Sequence, residues 1–310
     1  MTTQQQPTGA PAHAAPPVVR TVGLFTKRMA QGVPSALRDV EAALSRRGIE
    51  LVLDRECARQ LGRSHDGAPS RAIAGRIDLA ISLGGDGTFL SVARIMAETQ
   101  TPMMGINLGR LGFLTQVEPD DFEAFLERYL RGECVVGERM MLEAVLETEP
   151  AREPLSVLND VVINRAALSR MLEFELLIDG AFVTNYRADG LIIATATGST
   201  AYSMAAGGPI LMPEMSAIVI NPICPHALSQ RPLVVRGASV VRVKVRENRA
   251  DAFLSLDGQV GFPLKGDAEV VVRRSPHVTR IVRDPGVPFY EVLRHKLGWG
   301  EKSSRGGRFS

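Results

Sequence analysis

The chain of 310 residues is 45% hydrophobic and 23% charged, and 36 Lys and Arg against 34 Asp and Glu leave a net charge of +2. A chain this long outgrows one comfortable core, so two domains are expected. The scattered, balanced charge argues against a nucleic-acid groove or a polybasic membrane patch, and no apolar run approaches the roughly 18 residues of a membrane helix.

Residues 1–17, rich in Pro, Ala and Gln, lack the basic start and apolar centre of a signal peptide and read as a disordered tail, as do residues 301–310. A cytoplasmic location is therefore expected. Strand 18–26 leads to a helix over 33–48 that Gly48 can close, then to a second strand over 49–56. "IDLAISLGG" (77–85) and "FLSVARIMAET" (89–99) form a strand–glycine–helix unit, followed by a strand over 102–107. Residues 119–133 predict another helix, with acidic residues in its first turn where the dipole favours them. This alternation predicts a doubly wound α/β domain over 18–137.

From 138 to 275 helical periodicity nearly disappears, and β-rich runs alternate with turn pairs such as Asp179–Gly180 and Asp257–Gly258. A second, mostly antiparallel β domain is expected there. Residues 276–300 carry an amphipathic helix over 288–299 that is expected to return to the first domain. Cys57, Cys134 and Cys224 are far apart, form no C-x-x-C pair and have no His at ligand spacing, which predicts reduced thiols and no structural metal site.

The chemistry concentrates in glycine-rich segments. The loop Gly84-Gly85-Asp86-Gly87-Thr88 has no Lys for a Walker A motif, and Leu90 stands where a dinucleotide fingerprint needs its third glycine. What remains is a strand–loop–helix turn in which Gly84 and Gly85 permit close approach to phosphate. Thr88 can cap a helix starting at Phe89 or offer its hydroxyl to phosphate. A carboxylate in such a cradle makes sense when a hydroxyl losing its proton, or a metal ion, lies between it and the phosphate, so Asp86 is the candidate base for phosphoryl transfer. A turn-stabilising Asp is the plain alternative.

The segment "GINLGRLGFLT" (105–115) repeats the device, with Arg110 in reach of a phosphate or simply solvated. Thr195, Thr197, Ser199, Thr200, Tyr202 and Ser203 crowd hydroxyls into nine positions, suited to a sugar or phosphate. Asn159–Asp160 interrupts a strand pattern that disfavours both residues, as functional sites or strand-end turns do. Segments 187–190 and 257–259 read as possible hairpin turns, and His226 as a loop or core residue.

In order, "GGDGT", "GINLGRLGFLT", "LNDVVI", "DGLIIATATGSTAYSMAAGGPI", "NPICPHALSQRPLVV" and "LDGQ" resemble bacterial NAD kinases over residues 20–297. The first motif is shared with diacylglycerol, sphingosine and phosphofructokinase-type kinases; the hydroxyl segment is more specific. The resemblance implies an α/β domain paired with a β-sandwich-like domain, and ATP-dependent phosphorylation of the 2′-hydroxyl of the adenosine ribose of NAD to give NADP. It implies Asp86 as proton acceptor, and Gly87, Asn159, Asp160, Arg170, Arg187, Asp189, Thr200, Ala201, Tyr202, Ser203, Met204, Ala205 and Gln259 as dinucleotide contacts. It further implies Mg²⁺ or another divalent cation and a homodimer or homotetramer. Thr195-Ala196-Thr197-Gly198 stands where the family has Thr-Pro-Thr-Gly, and Asp160 where it has Glu. A lipid or sugar kinase of the same superfamily, or a non-catalytic NAD-binding regulator, are the alternatives.

Overall fold

A computed structural model describes residues 16–27, 33–109, 112–147, 153–165, 171–227, 229–246, 252–264 and 266–299. β1 (Thr21–Thr26), α1 (Val33–Ser45), β2 (Glu50–Leu53), α2 (Arg55–Gln60), α3 (Ser70–Ala74), β3 (Leu79–Leu83), α4 (Asp86–Met96), β4 (Met103–Ile106) and α5 (Phe122–Leu130) follow in order. The four strands run parallel in the order β2-β1-β3-β4. The side chains of β1, β3 and β4 are buried almost throughout, as parallel strands between helices must be, whereas edge strand β2 buries only Leu53. Leu79, Ile81 and Leu83 pack with α1 and α5, while Ala80 and Met103 pack with α3 and α4. The expected strand over 49–56 ends early, at Leu53, because Asp54 caps α2 from Arg55 on, while α3 lies where the sequence predicts no element; both helices are too short to show an amphipathic period.

The β-rich part comprises β5 (Val135–Leu146), β6 (Leu155–Val157), β7 (Asp160–Arg165), β8 (Leu172–Ile178), β9 (Ala181–Ala188), β10 (Gly190–Thr195), the single turn α6 (Tyr202–Ala205), β11 (Ala217–Ile223), β12 (Leu233–Arg236), β13 (Val241–Arg246), β14 (Ala252–Leu256), β15 (Val260–Leu264) and β16 (Ala268–Arg283). Six strands make an antiparallel sheet, β12-β11-β10-β7-β14-β15. The others extend the parallel sheet to ten strands. Alternating residues such as Leu172, Phe174 and Leu176 interlock with Leu191, Ile193, Ile218 and Ile220 between the two layers, which makes a β-sandwich.

The long β16 joins the parts. It pairs with β13 near its start, runs antiparallel to β5 along most of its length, and lies parallel to β4 at Ile281. The final helix, α7 (Phe289–Leu297), ends on Gly298 at φ 64° and brings Phe289 within 6.4 Å of Phe113. Residues 187–190 are not a hairpin turn: β9 and β10 belong to different sheets, and Asp189 is the crossing point. No helix among the described residues is long and apolar enough to cross a membrane.

Candidate active site

The glycine–aspartate loop leaves the carboxyl end of β3 beside that of β1, where the strand order reverses and open α/β sheets bind ligands. Gly84 adopts φ 147°, a conformation closed to ordinary side chains, and a Cβ there would meet Thr88 Oγ1 at 2.4 Å. Helix α4 begins at Asp86, earlier than the expected Phe89, because extended Gly85 takes the cap position and accepts from the Thr88 and Phe89 N–H groups. Thr88 is therefore a buried first-turn residue and not the cap. Lys27, beyond β1, donates to the Gly87 carbonyl at 3.1 Å. Burial, with Arg94 beside it, holds the Lys27 amine below its ordinary value.

Asp86 turns its carboxylate to the second glycine loop. Oδ1 accepts from Leu114 N and Thr115 N at 3.1 Å each and from Thr115 Oγ1 at 3.0 Å, while Oδ2 accepts from Phe113 N at 2.9 Å. Oδ1 is thus saturated, whereas Oδ2, with one donor among the described residues, keeps a lone pair for a further one. Gly112 stands where a Cβ would lie 2.0 Å from Oδ1, so the close approach of the two loops demands glycine.

Asp257 repeats the arrangement. It and Gly258, at φ 50° and 61°, turn β14 into β15, but its buried carboxylate accepts from the consecutive N–H groups of Leu158, Asn159 and Asp160 at 2.8–3.2 Å. Arg94 of α4 reaches the same carboxylate at 3.3 Å. The neighbouring Gln259 donates to Gly87 O at 2.5 Å, which ties the β part to the glycine loop. Asn159 ends a bend and Asp160 opens β7, so the polar pair in a strand pattern is a strand-end turn held from outside. Asn159, Asp160, Asn164, Ala201, Tyr202 and Gly258 line one open cavity of about 400 Å³.

Burial, and then the charge of Asp257, push the Asp160 carboxyl from 3.8 up to about 7. Burial raises Asp257 too, but three N–H donors and Arg94 favour its charged form. Because the folded value of Asp160 is the higher one, its contribution to stability is full below pH 3.8 and is lost as pH rises through 7. Thermal unfolding followed across that range should show a steeper decline in wild type than in Asp160→Asn. Parallel profiles would mean that Asp160 stays ionised in the fold.

The hydroxyl segment largely braces itself. Thr195 Oγ1 donates to Leu158 O at 2.6 Å and accepts from Gly198 N at 2.9 Å, Ser199 Oγ bonds Ala196 O and Leu211 N, and Thr200 Oγ1 bonds Thr197 O. Ser203 is fully buried beside Asn221, whereas Tyr202 is 44% exposed at the cavity. Met204 and Ala205 complete α6. A Cβ on Gly198 would lie 2.1 Å from Asn159 O, a backbone atom that cannot swing aside. Gly198→Ala should therefore cost about 1–3 kcal/mol of unfolding free energy in a denaturant titration; an unshifted midpoint would contradict this packing.

The structure thus brings together Gly84, Gly85, Asp86, Gly87 and Thr88 with Gln259, and Asn159 and Asp160 with Ala201 and Tyr202. It leaves Arg187 paired with Glu173 at 3.3 Å and Asp189 paired with Arg165 at 2.7 Å, neither lining the cavity. Arg110 and Arg170 lie outside the described residues. His226 is an exposed loop residue. Sequence reasoning missed Arg94, Lys27 and Thr115. Only Arg94 carried a signal, standing eight residues after Asp86 and so on much the same face of α4.

The family model described as the ATP-NAD kinase N-terminal domain matches residues 22–134, and the one described as its C-terminal domain matches 158–284. An NAD kinase from Syntrophotalea carbinolica is 42% identical over 287 residues, covering 92% of this chain and 100% of the relative. Another from Geobacter sulfurreducens is 44% identical over 289 residues, at the same coverage. The crystal structure of yeast NADH kinase complexed with NADH matches with a TM-score of 0.80 at 26% identity, over 95% of this chain and 90% of that one. An Archaeoglobus fulgidus NAD kinase in complex with ATP matches at 0.70 and 25% identity, over 90% of this chain and 97% of that one. With both family domains matched in order and such relatives aligned nearly end to end, this chain belongs to the ATP-NAD kinase family.

Proposed function

We propose that the chain transfers the terminal phosphoryl group of ATP to the 2′-hydroxyl of the adenosine ribose of NAD, with Asp86 as the base. One observation carries the reading: Asp86 is fixed by four donors yet keeps an open lone pair on Oδ2, in a loop bridged through Gln259 to the Asn159–Asp160 cavity. Adenosine in that cavity would meet Asn159 and Asp160, whose carboxyl, raised to about 7, donates a hydrogen bond in its protonated form that the ionised form cannot. Oδ2 takes the proton as the ribose oxygen forms its bond to phosphorus and ADP leaves. The α4 N-terminus and the glycine amides supply partial positive charge beside the phosphates.

Among the described residues no group of three or more His, Cys, Asp or Glu could hold a metal ion, and Oδ1 of Asp86 is already saturated. A protein cage for a divalent cation does not fit these residues. The cation enters as the counter-ion of ATP, consistent with the preference of Mg²⁺ for phosphates and water. The proposal further includes residues 18–137 and 138–275 as the two working domains, a cytoplasmic location, and assembly as a homodimer or homotetramer.

The test is a coupled assay for NADP from NAD and MgATP, with diacylglycerol as the competing acceptor. NADP formation supports the reading. Phosphorylation of the lipid alone, or NAD binding by calorimetry with no ATP-dependent product, would replace it with one of the alternatives.

A further inference from the structure

Behind the loop that grips Asp86, two cations share one anion. Arg139 of β5 is only 3% exposed, and Arg283 closes β16. Both lie against Gly137, where a Cβ would be 3.1 Å from Arg139 Nη1 and 3.1 Å from Arg283 Nε. A single oxygen, Oε1 of the half-exposed Glu214, accepts from Arg139 Nη2 at 3.1 Å and is ion-paired with Arg283 Nη1 at 3.1 Å. One positive charge is therefore in excess where one of its carriers is almost fully withdrawn from water. That same withdrawal, with Arg283 alongside, pulls the Arg139 guanidinium down to about 10.

Two polar atoms here have no partner among the described residues: Arg283 Nε and the hydroxyl of Thr197, a residue only 7% exposed. Arg139, Arg283 and Thr197 all line one small cavity walled by Phe113, Leu114 and Phe289, and among the described residues no acidic side chain lines it. Buried polar groups are normally satisfied and buried charges normally paired, so unpaired donors converging on one space point to a missing acceptor. A tetrahedral oxyanion matches them, because guanidinium forks and hydroxyls are suited donors for phosphate oxygens.

We propose that Arg139, Arg283 and Thr197 form an oxyanion site that takes a phosphate group. Thr200, an expected dinucleotide contact, lines the same cavity, so that group belongs either to the bound dinucleotide or to free inorganic phosphate. Only the first source rests on the proposed NAD kinase reaction.

The full chain should be unfolded thermally in rising inorganic phosphate against sodium chloride of equal ionic strength, as wild type, Arg283→Gln and Thr197→Val, and the Michaelis constant for NAD measured for each. Loss of a charge-assisted hydrogen bond should weaken binding at least about tenfold in Arg283→Gln. A phosphate-specific rise in Tm that falls away in the variants, with the NAD constant unchanged, assigns the site to free phosphate. A raised NAD constant in the variants, with phosphate competing against NAD, assigns it to the dinucleotide. Unchanged affinity for both ligands in both variants overturns the site. Should Arg283→Gln fail to fold, Thr197→Val alone decides, since it removes only a hydroxyl that has no partner. The unfolding readout needs no turnover, so a chain inactive towards NAD would still reveal the site.

Discussion

Asp86→Asn is expected to lower the rate of NADP formation by about 10²–10⁴-fold, the usual contribution of a positioned general base. The substitution is nearly isosteric, and its amide oxygen can keep the Leu114 and Thr115 donors that Oδ1 now accepts. The amide nitrogen would then face the Phe113 N–H, donor against donor, where Oδ2 accepts today. Both the proton-accepting lone pair and one anchoring bond are lost, while the Asn159–Asp160 cavity is untouched. NAD affinity by calorimetry should stay nearly constant as turnover falls. A variant with normal turnover would remove Asp86 from the chemistry.

Gly112→Ala should reproduce much of that loss, by about 10²-fold, without altering any group that reacts. The backbone at Gly112 is not in the left-handed region, so alanine is tolerated conformationally. The obstacle is the side chain, whose Cβ would lie 2.0 Å from Asp86 Oδ1 and 2.3 Å from Thr115 Oγ1. Either the loop retreats with its N–H donors or the carboxylate rotates away from them. Because both variants damage one unit, the double variant Asp86→Asn, Gly112→Ala should be little slower than Asp86→Asn alone. Multiplicative losses in the steady-state rates would show that Gly112 acts elsewhere.

The parts of this molecule that the sequence revealed are those governed by local rules. An apolar run entering Gly84–Gly85 announces a strand, a turn and a helix start, and Asp257–Gly258 announces a hairpin; both are present. What Asp257 does with its carboxylate was hidden, because its partners at 158–160 lie almost a hundred residues away. Separations of 60 and 172 residues likewise concealed the Lys27 and Gln259 contacts with Gly87. The helix start was misplaced because extended Gly85 took the cap that Thr88 could have made. The hydroxyl-rich segment was recognised as unusual, yet the oxygens of Thr195, Ser199 and Thr200 secure their own turn, a choice that composition cannot express.

The sixteen-residue β16 has a mechanical consequence. It is stitched to β13 at one end, to β4 at the other and to β5 along most of its length, so one hydrogen-bonded ladder runs through both halves. A molecule spliced in this way has no waist at which to bend. Substrates must be enclosed by loops and side chains moving over a stiff frame, and the halves should melt together rather than in succession.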